Sequence, residues 1–511
     1  MNTTTTGGTP RRRAGRGRTP RWLGLLLPAG MLLSTVAVGA GPVLAAAPAV
    51  AATHGTAALS CTVSWVGQAA QPLWTNPKNW STGKIPGASD NVCITSTNDD
   101  VLTPVSITVH SLLLGASEGI NLRGTTAKPV TAAIATSVTM TPGLSSRIEM
   151  TDATIHAAQV IGRNGTIFTA GTCNIISPDI VLAGHTHLAA FTGTTTLTSL
   201  SQLRNGTLTG ASISAGQATV VLPGDITHLA SATISLGPGS AINDPAGHNA
   251  LSGLTSVDAG SSLSDASNLT LTGSSFTADG PVNLHGGTLT VQGPFTQAQG
   301  TLDLEPNAVL SASSVTIGQG ASFADRGTVA ADLVNDGSVA VVGTAHVSGN
   351  YTQAPGASLA SGFGKLLAVT GTATLAGSLS AIEGTAHSGD TTQLITFGSV
   401  AGNFTGHNLG LQLVTRAHEI DAVQVPQLAI SPTAVSPGQT VTVRGGGFTD
   451  EAALRIFLDH ASGTPLMIGI VGVAGNFAIS VTIPASVAPG PHRLIAVQSD
   501  GHRASAPITV R

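Results

Sequence analysis

Apolar and polar residues alternate in short segments between residues 107 and 376. Residues 287–291, 300–304 and 337–341 are typical: each alternates with a period of two, and successive segments start about 10 to 14 residues apart. Each segment predicts one short β-strand followed by a turn. Because no segment is long enough to bury a face alone, neighbours must stack, as in a β-solenoid with coils of roughly 20–25 residues. A sandwich of two sheets is the alternative.

The last 85 residues have a different pattern. Pro426 begins a predicted linker, and residues 428–511 contain seven short alternating segments separated by turns such as Pro437-Gly438 and Pro489-Gly490. This length and strand count predict a small Ig-like β-sandwich within residues 426–511. Residues in this part also resemble the Ig-like or IPT-type repeats of bacterial surface proteins, although it contains no cysteine pair.

The N-terminus has the order of a secretory signal. The first 21 residues carry six arginines and no acid, residues 22–40 are mainly apolar, and small residues follow. We predict a signal peptide over residues 1–52, cleaved after Ala45, Ala51 or Ala52; an uncleaved membrane anchor is the alternative. We expect a secreted, extracellular protein with no membrane span after cleavage. Any association with the cell surface is expected to be non-covalent, because no wall-anchoring signal ends the chain.

The composition argues against helices and against nucleic-acid binding. The 511 residues include only six Glu and four Lys, which are the residues that usually fill exposed helix faces. Loss of the leader removes six arginines and leaves 15 basic and 25 acidic residues, a formal net charge of −10. Binding to phosphate groups needs clustered Lys and Arg, so we predict no nucleic-acid partner.

Three tryptophans, Trp65, Trp74 and Trp80, lie within 16 residues near the start of the mature chain. The stretch around them resembles the signature W-x4-N-W-S-x-G-x-x-P-x3-D-x-V-x-I at the start of many bacterial secreted β-helix proteins of the autotransporter-associated and filamentous surface-protein type. The signature is matched in this sequence by Trp74, Asn79, Trp80, Ser81, Gly83, Pro86, Asp90, Val92 and Ile94. Residues 351–359, 367–379 and 394–404 resemble the closing coils of the same proteins.

The resemblance implies an all-β chain: a right-handed parallel β-helix over residues 107–425, preceded by a cap over residues 53–106 and followed by the Ig-like sandwich. A solenoid end exposes unpaired strand edges and apolar core, which bulky Trp rings can cover. Clustered Trp rings can also stack on sugars, so a glycan-binding platform is the alternative for Trp65, Trp74 and Trp80.

The cysteines predict one disulfide. Cys61 and Cys93 bracket the Trp-rich region, and in an oxidising compartment they are natural partners that close a loop of about 30 residues. Cys173 stands apart among the repeats and is expected to be a buried free thiol. The three cysteines have no zinc-site spacing, so no metal site is predicted from them.

Paired acids would indicate glycoside hydrolysis, and the candidates are Asp99-Asp100 and the turn between Asp332 and Asp336. Adjacent acids on a strand point to opposite faces, so Asp99 and Asp100 cannot serve one bond if they are extended. We interpret all four as solvated turn residues. None of them matches an established calcium-binding loop.

Other candidate chemistry is equally isolated. His185 and His187 share one strand face but have no third metal ligand in the sequence. Ser117 lies in a G-x-S-x-G string, which needs a following helix to act as a nucleophile elbow, and strand-like residues follow it. His418-Glu419 starts like a zinc-protease motif, but the required second histidine is replaced by Ala422.

We therefore predict no catalytic, cofactor or metal site. The predicted function is that of a non-enzymatic secreted or surface solenoid in adhesion, matrix or wall interaction, with an extracellular glycan, cell wall or surface protein as partner. A carbohydrate-active β-helix that binds or cleaves polysaccharide is the alternative, and it would need acids, arginines and aromatics on successive coils.

Overall fold

The computed structural model describes residues 60–511, apart from residues 96–99, 143–145, 185, 382–386 and 473–474. The described part of the protein is nearly all β, with 58% of its residues in strands. A short 3-10 helix, Pro77–Asn79, interrupts the strands near the N-terminus. The predicted signal peptide lies outside the described residues. Within the described residues, no helix is long and apolar enough to cross a membrane.

A parallel β-solenoid of about 13 turns forms most of the molecule, which confirms the predicted architecture over the sandwich alternative. Each turn contributes strands to three ladders, which we name faces A, B and C. Six long strands bend at a corner and serve two faces: Val130–Met140, Ala153–Arg163, His187–Leu197, Ser212–Val221, Phe295–Leu304 and Val315–Asp325.

The remaining strands each belong to one face. Face A contains Asp100–Thr103, Gly119–Arg123, Arg147–Thr151, Thr166–Ala170, Thr233–Leu236, Ser262–Asp265, Val282–Leu284, Ser338–Val341, Ser358–Ser361, Ser378–Ala381 and Gly406–His407. Face B contains Ile107–Val109, Thr172–Ile176, Ala241–Asn243, Asn268–Leu271, Thr288–Val291, Val309–Ser311, Thr328–Ala330, Thr344–Val347, Leu366–Val369, Thr391–Thr396, Leu411–Thr415 and Glu419–Gln424. Face C contains Val63–Ser64, Asn91–Ile94, Ser111–Leu114, Ile180–Ala183, Leu203–Arg204, Thr207–Thr209, His228–Ala230, Ser256–Val257, Phe276–Ala278, Leu333–Asn335, Tyr351–Gln353, Thr372–Leu375 and Ser399–Gly402.

One continuous column of inward side chains runs along the inside of face A. Its members are in register from coil to coil and each is at most 1% exposed: Val101, Ile120, Ile148, Ile167, Leu188, Ile213, Ile234, Leu263, Val282, Leu302, Phe323, Val339, Leu359 and Leu379. Alternate residues along each strand enter this column, so the period-two pattern of the sequence becomes a core that repeats once per coil.

Buried polar side chains close several turns of the solenoid. Asp265, Asp325 and Asn335 are each fully buried at a strand end. In each case one side-chain oxygen accepts a hydrogen bond from the backbone N–H two residues later. These Asx-type turns satisfy a backbone donor that the parallel ladder leaves free.

The two ends of the solenoid are paired differently. Parallel stacking already begins with Val63–Ser64 on Asn91–Ile94, inside the predicted cap region. At the other end the pairing becomes antiparallel, with Glu419–Gln424 placed between Thr391–Thr396 and Leu411–Thr415. An antiparallel hairpin therefore covers the last coil, which limits the exposed strand edge.

Residues 427–511 form two packed sheets with a separate apolar core. The three-stranded sheet contains Gln427–Ser431, Thr440–Gly446 and Phe477–Thr482, and the five-stranded sheet contains Ala434–Val435, Arg503–Val510, Gly490–Gln498, Ala453–Leu458 and Met467–Ile470. The described residues of this region contain eight strands, whereas the sequence predicted seven. Val425 and Pro426 connect Glu419–Gln424 of the solenoid to Gln427–Ser431 of the first sheet. The assignment to an Ig-like family stays a prediction.

Candidate functional site

The predicted disulfide joins Cys61 and Cys93, with a Cα–Cα distance of 5.7 Å, which confirms the pairing. Cys173 is a buried free cysteine, and burial raises the pKa of its thiol. A buried thiol with a raised pKa is a poor nucleophile, so Cys173 has a packing role.

The three cap tryptophans pack against one another in the interior. Trp65 and Trp74 are 1% exposed and Trp80 is 2% exposed. The Trp80 ring lies 4.9 Å from that of Trp65 and 4.7 Å from that of Trp74, both edge-on. The Trp80 Nε1–H donates to the carbonyl of Trp74 at 2.8 Å. This arrangement fits a cap; a platform for sugars needs exposed ring faces, which these buried rings do not offer.

The other candidate residues remain separate. Asp99 and His185 lie outside the described residues. Asp332 accepts a hydrogen bond from the Asn350 N–H at 2.7 Å, so it closes a turn between coils. His187 Nε2 lies 2.7 Å from Ser214 Oγ. Within the described part of the chain, no group of three or more His, Cys, Asp or Glu side chains is placed to hold a metal ion.

The first coils of face A carry a charged cluster that includes Asp100. Asp100 and Arg147 lie two coils apart, and both are in register with Gly119 between them. The Arg147 guanidinium nevertheless donates to the Asp100 carboxylate. A Cβ at Gly119 would overlap Asp100 Oδ1 and come within 2.7 Å of Arg147 Cγ, so the absence of a side chain at Gly119 makes this contact across a coil possible.

Glu149 and Asn121 complete the cluster. They are in register with each other and lie two residues after Arg147 and Gly119 on the same strands. Asn121 Nδ2 donates to Glu149 Oε2 at 2.6 Å, and Arg147 Nε lies 3.6 Å from Glu149 Oε1. Burial, and then the charge of Asp100, raise the pKa of Glu149, while Arg147 and Arg123 oppose the shift. The hydrogen bond to Asp100 raises the pKa of Arg147. The side chains of Asp100, Arg147 and Glu149 are still about one third exposed, so a ligand can reach them.

Two phenylalanines extend this cluster along the face. Phe168 is in register with Glu149 on the next coil. Phe191 stacks on Phe168, with ring centroids 5.7 Å apart and an interplanar angle of 15°. Phe191 is 53% exposed, which is unusual for an aromatic ring in a protein with a well-packed core. The site on face A therefore joins an amide, a guanidinium and two carboxylates to an exposed aromatic surface.

No protein-family model matches the chain, and no curated protein matches it. Among solved structures, macromomycin is similar to 17% of this chain over 100% of its own length, with 19% sequence identity and a TM-score of 0.14. A score this low carries no argument.

The face A cluster is better suited to binding than to acid–base chemistry. Both carboxylates are already engaged, Asp100 by Arg147 and Glu149 by Asn121. Of this cluster, only Asp100 was a candidate on sequence grounds, and it was interpreted there as a solvated turn residue. Asn121, Arg147, Glu149 and the two phenylalanines lie on different coils and match no linear motif. Most outward positions of the strands are occupied by Ser, Thr or Ala. A large or charged residue at such a position is the sequence signal that could have identified these side chains.

Proposed function

We propose that this protein is a secreted or cell-surface β-solenoid that binds an extracellular glycan along face A and acts there without catalysis. The observation that carries the proposal is the exposed Phe191–Phe168 stack beside the Asn121, Arg147 and Glu149 side chains. Aromatic rings stack on the apolar faces of sugars, and amide, guanidinium and carboxylate groups hydrogen-bond their hydroxyls.

The location rests on the predicted signal peptide, on the disulfide, which suits an oxidising compartment, and on the resemblance to bacterial secreted β-helix proteins. In this proposal the solenoid presents face A to a glycan of a wall, matrix or neighbouring cell. The C-terminal sandwich docks a second partner. The carbohydrate-active alternative places cleavage at the same face, and the engaged carboxylates argue against it.

A glycan array probed with the mature protein tests the proposal. Phe191→Ala is expected to weaken binding about three- to tenfold, because an aromatic contact contributes about 0.5–1.5 kcal/mol. Arg147→Ala is expected to weaken it about 10- to 150-fold, because hydrogen bonds to a charged group contribute about 1.5–3 kcal/mol. Val342, which is 38% exposed elsewhere on the solenoid, provides a matched control as Val342→Ala.

Two results would overturn the proposal. Glycan binding that neither Phe191→Ala nor Arg147→Ala changes would place the site elsewhere. Release of reducing ends or unsaturated products from a polysaccharide, abolished by Glu149→Gln, would make face A catalytic.

A further inference from the structure

A serine, a histidine and an aspartate come together on face C, on coils that follow the face A cluster in the sequence. His228 and Ser256 are in register on neighbouring strands, His228–Ala230 and Ser256–Val257. Ser256 and Asp258 flank Val257, which is 1% exposed and points inward. The side chains of Ser256 and Asp258 therefore both project outward, next to the His228 ring.

The two ring nitrogens of His228 have different partners. Nδ1 forms a hydrogen bond with Ser256 Oγ, and Nε2 lies 2.9 Å from Asp258 Oδ2. An ionised carboxylate can accept hydrogen bonds but cannot donate them. The contact with Asp258 therefore favours the His228 tautomer that carries its proton on Nε2. In that tautomer the lone pair of Nδ1 faces the serine hydroxyl. A nucleophile, a base and a group that orients the base are thus arranged in sequence.

We propose that Ser256, His228 and Asp258 form a catalytic triad that hydrolyses small acyl esters carried on an extracellular polymer. Ser256 Oγ attacks the ester carbonyl while its proton passes to His228 Nδ1, and the alcohol leaves with that proton. Water then attacks the acyl-serine, again losing a proton to Nδ1, and the bond to Oγ breaks. The carboxylic acid leaves and Ser256 recovers its proton. Water is the only co-reactant.

The surroundings of the triad favour a small acyl group on a large alcohol. The side chains of His228 and Asp258 are 35% and 45% exposed, so the triad lies on an open sheet surface. Thr207 precedes His228 and Thr277 follows Ser256 in the same outward column. A polymer can lie across this surface. In this proposal the hydroxyl of Thr277, one coil beyond Ser256, would donate a hydrogen bond to the oxyanion that forms beside Ser256.

A second serine–histidine pair provides an internal comparison. His187 Nε2 lies 2.7 Å from Ser214 Oγ on face A. Burial lowers the pKa of His187. In the described part of the chain no carboxylate hydrogen-bonds to His187, so this pair has a base without an orienting acid. If the orienting acid matters, Ser256 must react faster than Ser214.

Labelling of the full mature chain with a fluorophosphonate tests the triad. The serine Oγ–P bond forms, the P–F bond breaks, and fluoride leaves while the base takes the hydroxyl proton. Peptide mapping is expected to find the label on Ser256, at a rate at least tenfold above that of Ser214. His228→Ala and Asp258→Asn are expected to slow the labelling about 10²- to 10⁴-fold, the usual contribution of a positioned general base.

Hydrolysis of p-nitrophenyl acetate gives a second measurement. Ser256→Ala is expected to abolish turnover, and Ser214→Ala is expected to leave it unchanged. The proposal is wrong if the wild-type chain neither labels nor turns over, if Ser214 labels as fast as Ser256, or if Asp258→Asn keeps the wild-type rate. Because the triad and the glycan-binding cluster share no residue, failure here leaves the glycan array result unaffected.

Discussion

Replacement of Asp325 by asparagine tests how the solenoid tolerates a buried carboxyl group. Asp325 is fully buried at the end of a face A strand, and its Oδ1 accepts a hydrogen bond from the Gly327 N–H at 2.9 Å. Its Oδ2 is buried with no hydrogen-bond partner among the described residues. Burial, and to a smaller extent the charge of Asp303, raise the pKa of Asp325 to about 7.

The raised pKa links folding to pH. The folded chain binds this proton more tightly than the unfolded chain, whose Asp has a pKa of about 3.9. The stabilising contribution is therefore complete below about pH 4, decreases as the pH rises, and is lost above about pH 7. The difference between the two pKa values corresponds to about 4 kcal/mol, and full burial means that solvent screening removes little of it.

Asp325→Asn keeps the acceptor for Gly327 and cannot ionise. Urea unfolding followed by circular dichroism at a series of pH values is the assay. The difference in free energy of unfolding between wild type and variant is expected to change by about 4 kcal/mol between pH 4 and pH 8, in favour of the variant at high pH. Asp279→Asn, at an exposed acid of the same solenoid, is the control. A wild-type minus Asp325→Asn difference that stays constant within about 1 kcal/mol over this range would refute the reasoning.

Three further outcomes are expected. Replacing Cys61 and Cys93 by alanine should lower the free energy of unfolding by about 4 kcal/mol, the chain-entropy value for residues 32 apart; an equal loss for Cys173→Ala would contradict it. Phe323→Ala should cost about 3–5 kcal/mol in denaturant unfolding, because it opens a cavity in the face A column, whereas Ser322→Ala should change little. N-terminal sequencing of the exported protein should find a new N-terminus between Ala46 and Thr53; an intact Met1 on a membrane-bound chain would exclude cleavage.

The solenoid was predictable because its core repeats a local pattern. Residues such as Leu302, Val339 and Leu359 alternate with outward Ser, Thr and Ala within their own strands, and this alternation is visible without any long-range information. The approximate coil length of roughly 20–25 residues was also accessible from the spacing of the alternating segments. The irregular spacings were not: Phe323 and Val339 are 16 residues apart, whereas Ile234 and Leu263 are 29 apart.

The face A cluster and the His228–Ser256–Asp258 group could not be found from the sequence, because each is built across coils. Ser256 lies 28 residues after His228, and Arg147 lies 47 residues after Asp100. These separations depend on the lengths of the intervening turns, which sequence periodicity does not fix to single residues. Linear motifs record neither group of residues, and the expectation of no nucleophile triad rests on such motifs alone. The contact across Gly119 also depends on a missing side chain, which no motif search records.

The backbone contacts at the end of the solenoid have a mechanical consequence. Gly410, in the last turns, approaches Gly446 and Gly447 of the sandwich so closely that a Cβ at Gly410 would overlap their backbone. Nearby, Gln424 is 4% exposed and its Nε2 donates to the Phe448 carbonyl at 2.7 Å. A pull applied through the sandwich must break these contacts before the two parts can pivot. The sandwich and the end of the solenoid should therefore rotate together under an applied force. An anchor on the sandwich would fix the direction in which the solenoid extends.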